Sequence, residues 1–153
     1  MKKLCVISFL ILAPYIGHAA IDLSGSWTTA KVNCKTSGDV PVKVKPILES
    51  LIMTFNESAV SQILTFMPNC TVSSTGSYQV EGSFIQFGLL KSTLSQGCPS
   101  GMSVKDKDPV KNQFRIDNNF LVLESSAGIF CAQPNDTLEM YLKKNSRISP
   151  FFK

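Results

Sequence analysis

The chain is almost without histidine: of its 153 residues only His18 is one, and it falls inside an N-terminal stretch that reads as an export signal. A mature protein with no imidazole excludes histidine-dependent triads, histidine-ligated zinc and imidazole acid/base chemistry. Also missing is an apolar run of the ~20 residues that a spanning helix needs. The longest, Leu4 to Ile16, is shorter and contains Pro14, so no membrane span is expected. Charge is scarce, at 17% of residues, and removing Lys2 and Lys3 with the signal leaves 13 of the 15 basic side chains against 11 acidic ones. So small a surplus argues against nucleic acid as a partner. Lys105, Lys107 and Lys111 form a short basic run, but Asp106 and Asp108 interrupt it and no aromatics interleave; it reads as a solvated loop.

Other chemistry is excluded in the same way. No glycine-rich phosphate loop follows a strand and opens a helix, and the many serines have neither a histidine base nor a serine-lysine motif. Asp22, Asp106, Asp108, Glu124, Asp136 and Glu139 are dispersed along the chain. None of them forms a sequence pair of the kind that splits into general acid and general base. The expectation is a protein that is not an enzyme and carries no cofactor and no metal.

What is present starts with Met1-Lys2-Lys3, the apolar run, and Gly17-His18-Ala19-Ala20, with small residues where a signal peptidase cuts. Cleavage is placed after Ala19 or Ala20. The very short basic start looks bacterial and points to the periplasm or to secretion. A lipoprotein is disfavoured because Cys5 precedes most of the apolar run. The expected organisation is a signal peptide over residues 1–19, one domain over 20–144 and a tail over 145–153. Roughly 133 residues remain after export, enough for one domain that hides about two-thirds of its unfolded surface. Three sequons, at Asn56, Asn69 and Asn135, would matter only in a eukaryotic secretory pathway.

Cleavage removes Cys5 and leaves Cys34, Cys70, Cys98 and Cys131, separated by 36, 28 and 33 residues. An even number in an exported chain predicts two disulfides, and the wide gaps are unlike metal-ligand spacing. Each bridge is expected to close a loop of a few tens of residues; which of three pairings forms is open.

Apolar residues along the mature chain alternate with polar ones, as half-buried strands do. Tyr78, Val80, Phe84, Ile85 and Phe87 superpose without a gap on Phe114, Ile116, Phe120, Leu121 and Leu123 at an offset of 36. A hairpin is therefore repeated, with turns at Glu81-Gly82 and Asp117-Asn118-Asn119 whose residues tolerate positive φ. A weaker copy, Met53, Phe55, Val60 and Gln62 around Asn56-Glu57-Ser58, precedes the middle one by 25 residues. Three hairpins, a strand from Leu23 to Cys34 and another from Thr137 to Lys143 make eight antiparallel strands. The fold expected is all-β, an eight-stranded antiparallel up-and-down barrel; a two-sheet sandwich would use the same signals. Pro46 to Leu51 is the best helical segment, and Pro99 to Asp108 reads as a long loop. Parity places Trp27, Phe55, Leu64, Phe66, Tyr78, Val80, Ile85, Phe87, Phe114, Ile116, Leu123 and Met140 inward.

The mature chain opens Ile21-Asp22-Leu23-Ser24-Gly25-Ser26-Trp27. A Gly-x-Trp on the first strand of a small secreted barrel resembles the lipocalin and calycin group, most of all its small bacterial lipocalin-like members. The resemblance implies a barrel of this kind, with Gly25 and Trp27 in structural roles. It also implies that Trp27 closes one end beside a basic side chain from the end of the last strand. Lys143 and Lys144 stand there, where the family usually has arginine. The chain departs from the family in being short and in lacking its Thr-Asp-Tyr type loop.

Two functions follow as expectations. One is a monomeric barrel binding a small apolar or amphipathic ligand, with Phe55, Phe66, Tyr78 and Phe114 as candidate cavity wall. The other is a periplasmic module that binds a protein target, such as an inhibitor of lysozyme or another hydrolase. Its contact loop would be Ser73-Ser74-Thr75-Gly76-Ser77-Tyr78.

Overall fold

The computed structural model describes residues 21–38, 40–41, 45–126, 130–133 and 135–145. The segment expected to be an export signal and all of the tail beyond Asn145 lie outside the described residues. Regular structure runs in the order β1 (Gly25–Cys34), α1 (Lys45–Glu49), β2 (Ile52–Asn56), β3 (Ala59–Met67), β4 (Cys70–Glu81), β5 (Phe84–Phe87), β6 (Lys91–Leu94), β7 (Val110–Asp117), β8 (Phe120–Ser126) and β9 (Thr137–Lys144).

The three copies of the repeated hairpin fold alike. Met53 faces Gln62, Tyr78 faces Phe87 and Phe114 faces Leu123; one step nearer each turn, Phe55 faces Val60, Val80 faces Ile85 and Ile116 faces Leu121. Each is closed by a two-residue turn with at least one left-handed residue: Glu57 (φ 50°), Gly82 (φ 59°), or Asn118 (φ 46°) with Asn119 (φ 70°). The Asn-Asn pair fits the turn type that needs positive φ at both positions and that matches strand twist. A fourth tight turn, Pro68-Asn69, joins β3 to β4.

Every strand pairing is antiparallel, in the order β3-β2-β1-β9-β8-β7-β5-β4, and β3 pairs with β4 to close the ring. This closure makes the fold an eight-stranded barrel and excludes the sandwich. The ninth strand is a subdivision: β5 pairs with Tyr78–Glu81 and β6 with Val72–Thr75 of the same long β4. Together β5 and β6 occupy one position of the barrel, creased between them. Gly76 of β4 permits the crease, since a Cβ there would lie 2.6 Å from Leu90 Cδ2 and 2.5 Å from Leu89 O. The helix is shorter than the segment expected from sequence and starts one residue earlier.

The two ends of the barrel differ. The turns at 57–58, 82–83 and 118–119, the start of β1 and the end of β9 share one end. The long connections, 35–51, 88–109 and 127–136, share the other with both disulfides, Cys34–Cys131 and Cys70–Cys98. The pairing is nested, and the outer bridge spans 97 residues rather than a few tens. In the chain-entropy model loops of these lengths correspond to about 3 to 5 kcal/mol each.

Two parity assignments need correction. Val80 and Ile116 stand opposite the buried Ile85 and Leu121 yet are 38% and 48% exposed, at the rim next to the turns. The segment Ser73–Tyr78 is no loop. It lies within β4, hydrogen-bonded to β3 along its length, with Ser74 and Tyr78 buried.

Candidate functional site

At the turn end the interior is solid. Trp27, Phe55, Val60, Tyr78, Ile85, Phe114, Leu121 and Leu142 belong to one buried cluster that continues through Met53, Phe87 and Leu123, each large side chain contributing about 1.5 to 3 kcal/mol by leaving water. Phe55 meets Tyr78 edge to face at 4.9 Å between ring centroids, an arrangement in which the positive ring edge points at a negative face. The Trp27 indole N–H donates to Leu23 O at 2.8 Å, so its one polar atom is satisfied. Burial, with a smaller push from the Asp22 carboxylate, raises the pKa of the Tyr78 phenol.

The register sets Trp27 opposite Lys144, whose Nζ lies 5.3 Å from the indole centroid. Gly25 makes room for it: a Cβ there would stand 3.2 Å from Lys144 Cε, and its φ of 111° suits glycine alone. The two outer residues of Gly-x-Trp thus serve one contact. Of the two lysines considered from sequence, Lys144 is the partner, and Lys143 faces the other way. Asn145 then ties the strand end to Ser26 O through its backbone N–H at 2.8 Å.

The other half of the barrel is hollow. A cavity of about 370 Å³ opens between the strands and the long connections. Met53, Phe87 and Leu123 form its floor against the packed end; Leu64, Leu138 and Met140 form its walls, and Leu48, Leu51 and Phe130 come from the connections above. Leu90 and Val110 complete the apolar lining, and among the described residues Gln62, Lys107, Asn112 and Ser125 are its only polar members.

The cover over this cavity is fastened at several points. The Ser50 hydroxyl donates to Thr65 O at 3.0 Å and accepts from Thr65 N at 2.8 Å, and Thr29 N donates to Leu51 O at 3.0 Å. These bonds hold the end of α1 against β3 and β1. On the opposite flank Cys34–Cys131 draws the segment bearing Phe130 to the end of β1. Beside it the Asp136 carboxylate accepts four hydrogen bonds, from Thr36 N, Ser37 N, Ser37 Oγ and Thr137 N. Desolvation alone would raise its pKa, but these bonds, led by those from Ser37, hold it well below the usual carboxylate range. Cys34, Cys131 and Asp136 come close enough to resemble a metal-ligand set; with both sulfurs in a disulfide, no thiolate is available there. Cys70–Cys98 anchors the connection that carries Lys107.

Among the described residues Lys107 is the one charged member of the lining. It faces the cavity through a bridge with Leu90, and its Nζ donates to Gln62 Oε1 at 3.0 Å. Desolvation lowers its pKa from the ordinary lysine value.

The aromatic wall expected from sequence is elsewhere. Phe55, Tyr78 and Phe114 belong to the packed end, and Phe66 sits half-buried at an irregularity of β3 between Thr65 and Met67. None of the four lines the cavity. Of the inward set, Leu64, Phe87, Leu123 and Met140 do. The basic run taken for a solvated loop supplies Lys107 to the rim.

The outer surface carries one polar cluster that the sequence does not disclose. Glu124 of β8 stands directly opposite Glu139 of β9. Arg115 bridges them, its Nη1 bonded to Glu124 and its Nη2 3.1 Å from Glu139 Oε1, while Lys35 Nζ lies 3.1 Å from Glu124 Oε2. The Tyr141 hydroxyl donates to Glu139 Oε2 at 3.1 Å. Desolvation alone would lower the Arg115 pKa, but the two glutamates raise it; burial and Glu139 likewise raise that of Tyr141. These carboxylates are held as ion pairs on the outside of the barrel.

Among the described residues no helix is long and apolar enough to cross a membrane. The chain matches no protein-family model, no curated protein and no solved structure, and what is established for it is an eight-stranded antiparallel closed barrel with two disulfides at its hollow end.

Proposed function

We propose that this is an exported, lipocalin-like barrel that binds a small apolar or amphipathic molecule in the cavity at its open end. The observation that carries the reading is the cavity itself: about 370 Å³, apolar but for four of the described residues that line it, under a cover fastened by hydrogen bonds and a disulfide. Sites for small molecules are concave, mostly apolar and supplied with a few converging polar groups. The Lys144 ammonium over Trp27, cradled by Gly25, supports the lipocalin-like part of the reading. Two disulfides support export to an oxidising compartment, the periplasm or the medium. The protein-target alternative loses its contact loop, because Ser73–Tyr78 is strand.

Native mass spectrometry of the exported, disulfide-bonded protein beside a denatured sample tests this. An added small mass that vanishes on denaturation, and that is lost in a folded Leu64→Trp variant with a filled cavity, is the expected result. A bare mass in both spectra after incubation with lipids and periplasmic metabolites would overturn it.

A further inference from the structure

The polar lining of the cavity is of one sign. Lys107 brings a positive charge, Gln62, Asn112 and Ser125 bring neutral dipoles, and among the described residues no acidic side chain lines the space. The ammonium's hydrogen-bond acceptor is an amide oxygen, which leaves its charge uncompensated. Among the described residues it takes part in no salt bridge.

The placement of this charge is specific. Gln62 is on β3, whereas Lys107 extends the pairing of β5 with β7 by way of Leu90. Since β4 and β5 stand between β3 and β7 in the ring, the Lys107–Gln62 contact crosses the mouth of the cavity as a polar bar above an apolar chamber. A ligand that enters must either displace this contact without compensation or replace it. A neutral apolar molecule does the first. An anionic head does the second, because it accepts from the ammonium in place of Gln62 Oε1 and lets the Gln62 amide N–H donate to it, and charge-assisted bonds of this kind are the stronger ones.

We propose that the ligand is a single-chain amphiphile with a carboxylate head, lying with its tail on Leu64, Leu123 and Met140 and its carboxylate on Lys107 and Gln62. This rests on the reading of the cavity as a ligand site. The lowered pKa of Lys107 agrees with it, since an ammonium partly stripped of water gains most from an anion. Size narrows the class further: 370 Å³ is near the lower end of the roughly 300 to 1,000 Å³ of small-molecule pockets. One chain of moderate length fits; a two-chain lipid does not.

Isothermal titration calorimetry of the exported, disulfide-bonded protein with decanoate and with decanol separates the two levels of the argument. The pair shares a tail and differs in the charge of the head. Decanoate is expected to bind about tenfold more tightly than decanol, the effect of one charge-assisted hydrogen bond. Lys107→Gln should abolish that preference without weakening decanol, and Lys107→Arg should preserve it. Equal binding of the two ligands by the wild-type protein, or a preference that survives in Lys107→Gln, would overturn the carboxylate assignment and leave the cavity standing as a site for neutral ligands. Failure of the wild-type protein to bind either would overturn both. Lys107 belongs to neither buried apolar cluster, so the variants should melt with the wild type.

Discussion

The two ends of this barrel solve closure by different means. At the turn end, side chains do it: strands reverse within two residues, and Trp27, Phe55, Tyr78 and Phe114 fill the interior. At the other end, the tight Pro68-Asn69 turn apart, the connections are long, the interior is hollow, and cohesion comes from two disulfides and the hydrogen bonds around Asp136 and Ser50. The difference teaches that a barrel of this size need not be packed throughout. Where covalent and polar fastenings hold the cover, apolar contact can be given up to make room. Under the proposed function, stability and binding fall to opposite ends, and substitutions at one should leave the other largely alone.

The largest effect that would sharpen this contrast is expected from Cys34→Ala with Cys131→Ala. Loss of a bridge spanning 97 residues should lower stability by about 4 to 5 kcal/mol, read by urea denaturation. Ligand affinity should fall as well, because the cover bearing Phe130 is released. Next comes Phe55→Ala, with a cost of about 3 to 5 kcal/mol from lost burial and the void left behind. A folded Phe55→Ala sample should nonetheless keep its ligand affinity; a proportionate loss of affinity would break the division between the ends. A smaller effect is expected for Lys144→Met, about 0.5 to 2 kcal/mol, as the indole loses the cation on its face.

The most confined effect is that of Asp136, which appears only in acid. Its folded pKa lies below the unfolded value of ~3.9, so its contribution is fully present above about pH 4 and is lost as pH falls through the folded value. Wild-type stability should therefore drop more steeply below pH 4 than that of Asp136→Asn. Parallel profiles, measured by thermal melts across that range, would mean that the hydrogen bonds to Asp136 do not fasten the cover.

The barrel itself is legible in the sequence because its determinants are local. Alternation marks each strand, and Gly82, Asn118 and Asn119 mark the turns. The gapless superposition of Tyr78–Phe87 on Phe114–Leu123 shows that the two hairpins share one register, as the pairings Tyr78–Phe87 and Phe114–Leu123 bear out. The cavity is not legible, because its lining is set where alternation fails. Counting inward residues back from Phe114 in twos passes Asn112 and Val110 and lands on Asp108; the crease after Phe87 shifts the count, and Lys107 faces in. An irregularity between Thr65 and Met67 takes Phe66 out of the inward series after Leu64 in the same way. The disulfide pairing and the Glu124–Glu139 opposition depend on how distant strands meet around the ring, which no local pattern records.

The outer disulfide has a consequence for a protein exposed to proteases. Cys34 is the last residue of the first strand, and Cys131 lies shortly before the last strand, so the bridge runs beside the seam at which the chain's two ends meet. A single cut anywhere between them, including in the long connections of the hollow end, yields two fragments that cannot diffuse apart. The barrel is in effect a loop of chain clasped at its seam, and a nicked copy stays in one piece until a reductant opens the clasp.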